Sequence, residues 1–390
     1  MPAFSLILLA LATIALLIWL ILTFFRGAFW QLRPFDDDLA VHPPLPSWPR
    51  IVAVLPARNE AETIARTVQS LASQDYPGEF QIIIVDDHSE DGTATLAQDA
   101  ARSAGAAERV SLVEAAPLQP GWTGKVWALQ QGVEKAEPLS ADYFWFTDAD
   151  ITHAPDTLRR LVSRAESERF DMASLMVLLQ AKTFPERLLI PPFLYFFLKL
   201  YPPRWVADRK ARTAGAAGGC ILLRRTALQR IGGISAIRQE VIDDCALARA
   251  IKRSGGAVWM GLTRKSVSLR AYDSFGEIRD LIARTAFTQL NYSGLLLLGT
   301  LAGMILTYLV PVALTFHLQS LVWRLGLACW VLMTLTYLPT VRFYGLSPLW
   351  APLLPLAAAF YSHATLLSAV RYWLGRGGQW KGRAQAPVKP

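Results

Sequence analysis

An aromatic run that stops abruptly in acid constrains this chain more than any other stretch. Trp145-Phe146-Thr147 carries the side chains of a buried strand, and Asp148-Ala149-Asp150 follows at once. In an extended chain residues i and i+2 face the same way, so the two carboxylates converge at the strand end. Carboxylates that close repel unless a positive charge lies between them. Mg2+ or Mn2+ meets that need, because a hard cation takes a few carboxylates and leaves positions for phosphate oxygens. A solvated turn after a strand is the competing reading of an isolated Asp-X-Asp, and the surrounding sequence has to decide.

That surrounding sequence alternates strands with helices. Ile51 to Leu55 is an apolar strand running into Pro56-Ala57-Arg58-Asn59-Glu60. A helix follows with Ile64, Val68 and Leu71 on one face, ending near Tyr76-Pro77-Gly78. Gln81 to Val85 reads as a strand buried on both faces, and it ends in Asp86-Asp87-His88-Ser89-Glu90-Asp91-Gly92-Thr93. A helix to about Ser103, a strand near Val110 to Val113 and a helix from about Lys125 lead to the strand Tyr143 to Thr147. Such alternation predicts an α/β fold with a doubly wound, mostly parallel sheet. Ligands collect at the carboxyl ends of such strands, which is where the acidic clusters fall.

Membrane segments flank this domain. Of 390 residues, 53% are apolar, and they are unevenly spread. Phe4 to Phe25 carries no charge and is long enough to cross a bilayer. It lacks a basic leader and a small-residue cleavage site, so it reads as an N-terminal transmembrane anchor (1–27) rather than a signal peptide. His42-Pro43-Pro44-Leu45-Pro46-Ser47-Trp48-Pro49 reads as a stiff spacer within a linker over 28–49. After the domain come three apolar stretches, about 294–316, 321–341 and 346–370, in a transmembrane region over 291–372, and a basic tail over 373–390. Leu188 to Leu200, with Pro191-Pro192 and four aromatics, is too short to span and reads as interfacial, with a buried helix as the alternative. The net charge of +8 gathers beside apolar segments, which suits a membrane surface and not nucleic acid. Basic residues after the anchor put the domain inside. Three further crossings would leave Arg371, Arg376, Lys381 and Arg383 outside, against the charge rule, so the stretch broken by Pro348, Pro352 and Pro355 is expected not to cross simply. Cys220, Cys245 and Cys329 have no paired spacing, which excludes a zinc site or disulfide framework from the reading.

Five elements in this order resemble glycosyltransferase family 2. They are Val54-Leu55-Pro56-Ala57-Arg58-Asn59-Glu60, the Val85 to Thr93 run, Gly124-Lys125, Asp148-Ala149-Asp150 and Asp243-Asp244. The resemblance covers about Arg50 to Leu290 and implies a Rossmann-like GT-A catalytic domain over 50–290. Within the family, the whole-chain plan and the run Ala283 to Leu290 are similar to the hopanoid-associated glycosyltransferases.

The resemblance implies a role for each cluster. Pro56, Ala57, Arg58 and Glu60 would hold the nucleotide, with Asp86 and Asp87 accepting hydrogen bonds from the base; a turn and helix cap with Ser89 and Asp91 is the alternative. Lys125 would contact the diphosphate as a point charge. Asp148 and Asp150 would hold the metal, Mg2+ or Mn2+, that bridges the diphosphate. Asp244 takes the place of the catalytic base, with Asp243 beside it where the family often has Glu; a helix N-cap is the alternative for both. Arg284 matches the arginine of a Gln-X-X-Arg-Trp element and would steady the diphosphate. Leu281 and Thr285 replace its Gln and Trp, which argues against polysaccharide synthesis. His153 reads as a loop histidine. Together these make an inverting enzyme of the bacterial inner membrane, with its domain cytoplasmic. It would move one sugar from a nucleotide-sugar, UDP-linked by the resemblance, to a lipid acceptor of hopanoid type. A polyisoprenyl-phosphate glycosyltransferase and a membrane scaffold with a decayed domain are the alternatives.

Overall fold

A computed structural model of the chain describes residues 3–37, 45–317, 320–376, 379–380 and 383–384. Two compact units emerge. An α/β unit takes residues 33–180 and 205–271 with the short Gln379–Trp380 and Arg383–Ala384 strand pair, and a helical unit takes residues 3–32, 181–204 and 272–376.

The α/β unit is built on eight strands: β1 (Ile51–Ala57), β2 (Phe80–Asp86), β3 (Val110–Glu114), β4 (Tyr143–Thr147), β5 (Ile151–His153), β6 (Met172–Leu178), β7 (Cys220–Arg224) and β8 (Val258–Ser268). Their order across the sheet is β3-β2-β1-β4-β7-β6-β8-β5. The four strands from β3 to β4 are parallel, as the alternation predicts. Beyond β4 the sheet is mixed: β7 runs against both β4 and β6, β6 and β8 are parallel, and β5 runs against β8. Every residue of β1 is buried, and Ile82 to Val85 are buried in β2, because helices cover both faces there. The Gly124–Ala136 helix reaches β1 and β2 through Gly132, where a Cβ would stand 2.3 Å from Val54 Cγ1. No larger residue allows that approach.

Three expectations change here. Residues 33–37 are not linker. Phe35 is buried with its ring 5.6 Å from that of Trp259, and Asp36 accepts hydrogen bonds from Thr263 Oγ1 at 2.6 Å and from the Arg264 amide. Of the proline-rich spacer, residues 42–44 lie outside the described residues, while Leu45 and Trp48 pack on the core. His153 is on a strand, not in a loop. It is buried between Thr147 Oγ1 and Ser266 Oγ, each 2.8 Å away, and burial pushes its pKa down to about 3. A neutral histidine with both nitrogens engaged is structural.

Among the described residues, the helical unit contains four helices long and apolar enough to cross a membrane, Ala3–Phe25, Gly294–Leu314, Leu321–Phe343 and Pro348–Trp373. Phe4, Ile7, Ile14, Leu17, Ile21, Phe24 and Phe25 point outward from the first, a stripe that water would penalise and lipid accepts. The Phe184–Leu200 helix starts with a capping box between Thr183 and Glu186. It packs within the helical unit: Tyr195 bonds Thr336 at 2.9 Å, and Tyr361 Oη donates to the Leu189 carbonyl at 2.8 Å. Its aromatic side chains interlock with the long helices, as the buried-helix alternative expects. Residues 272–290, expected in the domain, also belong to this unit.

Candidate functional site

The ends of β1 and β2 are adjacent, with Ala57 opposite Asp86, and side chains stitch the two following loops together. Arg58 donates to the carbonyl oxygens of Asp87 and His88, and its guanidinium stands 3.8 Å from the Asp87 carboxylate. Asn59 adopts a left-handed φ of 50°, which Asn tolerates better than most residues. This turns its amide toward Ser89 Oγ at 3.0 Å and its side-chain oxygen toward the Glu90 amide at 2.9 Å. The Glu60 amide donates to Thr93 Oγ1 at 2.8 Å, and the Ala61 amide to Asp91 at 3.0 Å. Ser89 and Asp91 therefore bind loop to loop, and Asp91 also receives the Thr93 amide at 3.1 Å. Within this frame Asp86 is buried. One of its oxygens accepts from the Ser89 amide at 3.3 Å, and the other, Oδ1, has no hydrogen-bond partner. An orphaned buried carboxylate oxygen costs on the order of 1–3 kcal/mol, so this atom is held ready for a donor.

At the end of β4 three separate sequence motifs meet. Lys125 lies in the first turn of the Gly124–Ala136 helix. Its Nζ is 2.8 Å from Asp148 Oδ1 and 3.4 Å from Asp243 Oδ2. Burial opposes its charge, but Asp148, Asp243 and Asp244 outweigh that and raise its pKa above the ordinary lysine value. Asp243 and Asp244 open the helix Asp243–Arg253, whose N-cap is Ile242, so neither is the cap. Asp244 is held from both sides: Oδ2 accepts from the Gly218 amide at 2.8 Å and Oδ1 from the Cys245 amide at 2.6 Å. Burial and the neighbouring Asp243 push its pKa up to about 7, against the pull of Lys125 and the two amides. These groups line a small cleft together with Phe146, Leu129, Ile221 and Leu247.

Asp150 takes a different partner. Arg270 Nε is 3.1 Å from its Oδ2, and the same guanidinium reaches Glu60 at 2.9 and 3.1 Å. Burial and Asp148 raise the Asp150 pKa, and Arg270 opposes them. Sequence reasoning missed Arg270. Nothing in its spacing marks it, and only the pairing of β8 with β5 carries it back to Asp150, whose carbonyl accepts from the Leu269 amide at 2.7 Å. Arg284 caps the end of the Phe275–Ala283 helix, which belongs to the helical unit.

Among the described residues no cluster of three or more His, Cys, Asp or Glu side chains gathers round one point. Asp148 and Asp150 alone supply two carboxylates, and each already faces a cation, Lys125 or Arg270. A full protein cage for Ca2+ or Zn2+ is thus not available there. Two carboxylates that favour positive charge do fit Mg2+ or Mn2+, which keeps waters and completes its shell with phosphate oxygens.

Residues 52–232 match the family described as Glycosyl transferase family 2. An N-acetylglucosaminyltransferase of Rhizobium leguminosarum bv. viciae is 27% identical over 191 residues, 46% of this chain and 40% of the relative. One of the same name from Mesorhizobium japonicum is 26% identical over 197 residues, 46% of this chain and 41% of the relative. The chain thus spans well under half the length of these curated relatives. Among solved structures, a mannosyltransferase from Pyrobaculum calidifontis, in complex with GDP-Man and Mn2+, superposes with a TM-score of 0.53 at 18% identity, over 91% of this chain and 99% of that one. The mixed sheet with its covering helices is the GT-A-like glycosyltransferase fold.

Proposed function

We propose that this chain, a glycosyltransferase by its family 2 domain, moves a single sugar from a UDP-linked donor to the hydroxyl of a membrane lipid, with inversion at the anomeric carbon. The observation that carries the reading is the meeting of Lys125, Asp148, Asp243 and Asp244 around one cleft, from stretches of chain far apart in sequence. The orphaned Asp86 oxygen, at the end of β2, supports a nucleotide donor, because the imide N–H of uracil is the kind of donor it lacks. Arg58 and Asp87 hold the loops on which the base would lie, and Pro56 lines the same cleft. Asp148 and Asp150 would hold Mg2+ or Mn2+, which when bound supplies Lewis-acid charge for the departing diphosphate. Lys125 adds a fixed positive charge beside them.

Asp244 then acts as base. The acceptor oxygen forms its bond to the anomeric carbon from the face opposite the diphosphate. The bond from that carbon to the phosphate oxygen breaks, and the nucleoside diphosphate leaves with its electron pair. The acceptor's proton passes to Asp244, whose raised pKa suits proton transfer near neutrality. A lipid acceptor is supported by the four apolar helices on the same chain, and hopanoid type by the likeness of the Ala283 to Leu290 run. Arg284, in that run, would steady the diphosphate.

The test is direct. Protein in lipid vesicles with metal, a panel of nucleotide-sugars and a hydroxyl-bearing polycyclic lipid should release UDP, and the lipid should gain the mass of one sugar. A ladder of products would overturn single transfer, and release of GDP from GDP-sugars alone would overturn the uracil assignment. Gly218 gives a second expectation. A Cβ there would stand 3.2 Å from Lys125 Nζ and 3.4 Å from Asp244 Oδ2. Gly218→Ala should therefore lower turnover by about tenfold or more, since small displacements of reacting groups are costly, while the thermal midpoint moves little. Unchanged turnover would show that the amide of Gly218 does not position the base.

A further inference from the structure

Contacts within the helical unit fix the direction of each long helix. Ala12 of the first packs with Leu314, and seven residues on, Trp19 meets Tyr308 with ring centroids 5.5 Å apart and donates to the Thr307 carbonyl at 2.8 Å. The helices Ala3–Phe25 and Gly294–Leu314 are therefore antiparallel and in step. At the other end of the second, Leu297 packs with Ala369, while Tyr308 and Tyr361 both lie against Phe196, at 5.6 and 5.0 Å. The last helix thus also runs against Gly294–Leu314 and in the same direction as the first. The third begins beside Ala12 and Leu314 at Val322, and near its far end Tyr337 meets Tyr195, which also touches Phe29. It too runs with the first helix.

Two successive helices that run the same way cannot be joined by a turn at one membrane face. After Phe343 the chain has to re-enter, and the Trp330 indole donates to the Pro352 carbonyl at 3.0 Å. Trp330 is thirteen residues before Phe343, so Pro352 sits about 20 Å back along the helix at 1.5 Å per residue. Irregular backbone at that depth must satisfy its own polar groups. Pro348, Pro352 and Pro355 have no N–H to satisfy. The amides of Tyr344, Gly345, Leu346 and Trp350 bond to the carbonyls of Thr340, Arg342, Val341 and Ser347, and that of Leu349 to Ser347 Oγ. The last helix then climbs back to where the second starts. Arg371 pairs with Asp280 at 2.7 Å, and Tyr372 stacks on Tyr292 at 4.5 Å.

We infer that the segment Pro348–Trp373 is a re-entrant hairpin arm and not a crossing, so that residues 374–376 emerge on the face where the first helix ends and the chain departs for the α/β unit. The charges agree. Arg26, Arg342, Arg371 and Arg376 all fall at that face, and Arg324, two residues after Val322, falls near the other, which makes the first face the cytoplasmic one. The inference stands on the helical unit alone and does not depend on the reaction.

Single cysteines at Gln31, Phe316 and Arg376 test it, because the native Cys220, Cys245 and Cys329 are buried and give a low background. In sealed vesicles a membrane-impermeant maleimide should label Gln31→Cys and Arg376→Cys only when the cytoplasmic face is outward, and Phe316→Cys only in the opposite orientation. Arg376→Cys labelling together with Phe316→Cys would overturn the inference. A tag on the C-terminus of the otherwise unaltered chain gives the same answer without an internal substitution. A protease added outside should remove it from inside-out vesicles only, and its removal from right-side-out vesicles would refute the topology.

Discussion

Asp244→Asn will fold, bind nucleotide-sugar almost normally, and turn over about 10²–10⁴-fold more slowly than the parent. Asn keeps the size of the side chain, and its carbonyl oxygen can still take one of the amides of Gly218 and Cys245. It cannot accept a proton at neutral pH. Because the Asp244 pKa is raised to about 7, parental turnover should fall about tenfold per pH unit below that value, while the residual rate of the variant should not follow that slope. Stability carries the opposite sign. A carboxyl whose folded pKa exceeds its unfolded one burdens the fold when ionised, and the burden lifts as pH falls from 7 toward about 4. The variant should then melt above the parent at pH 8, with the gap closing by pH 4. Turnover above about a tenth of the parental value would remove Asp244 from the base role and leave Asp243 as the next candidate.

Asp148→Asn and Asp150→Asn should each cost several kcal/mol of transition-state stabilisation, with the loss in kcat/KM and in metal affinity together. The two variants should differ in what else they disturb. Asp148→Asn releases Lys125 from its 2.8 Å partner and leaves it its 3.4 Å contact to Asp243 and the charge of Asp244, whereas Asp150→Asn leaves Arg270 on Glu60. Calorimetric titration with Mn2+ alone and then with UDP should separate them: Asp150→Asn weakens the metal step, and Asp148→Asn weakens both. Full activity in EDTA with either substitution would dismiss the metal.

The parallel half of the sheet was legible because its signals are local. Apolar runs such as Ile82 to Val85 end in acids, and a helical period follows each. The meeting of Lys125 with Asp148 and Asp243 was only half legible, since strand-end placement put them on one edge but gave no distances. Arg270 was out of reach, because β8 returns to Asp150 through an antiparallel pairing that no periodicity announces. The Phe184–Leu200 helix stayed open between two readings for another reason. Aromatic side chains suit both a lipid surface and an aromatic core, and the sequence does not distinguish Tyr195 bonded to Thr336 from Tyr195 facing headgroups. Residues 272–290 were drawn into the domain by resemblance, whereas their contacts with Ser368 and Arg371 tie them to the last helix.

The reversal of direction between β4 and β7 divides inheritance within the domain. Thr147, at the exit of β4, pairs with Cys220, at the entrance of β7, so the chain reaches Asp244 before it enters the strand and recedes from it afterwards. The stretch ahead of β7 is moored by Lys252, whose Nζ donates to the carbonyls of Trp205, Val206 and Thr213 at 3.0, 2.8 and 2.7 Å. On the proposed reading, insertions between those moorings and Gly218 should alter what faces Asp244 and leave β1, β2 and β4 as they were. On the proposed reading, donor contacts and acceptor contacts thus come from different stretches of the domain, the ends of β1, β2 and β4 for the one and the stretch ahead of β7 for the other.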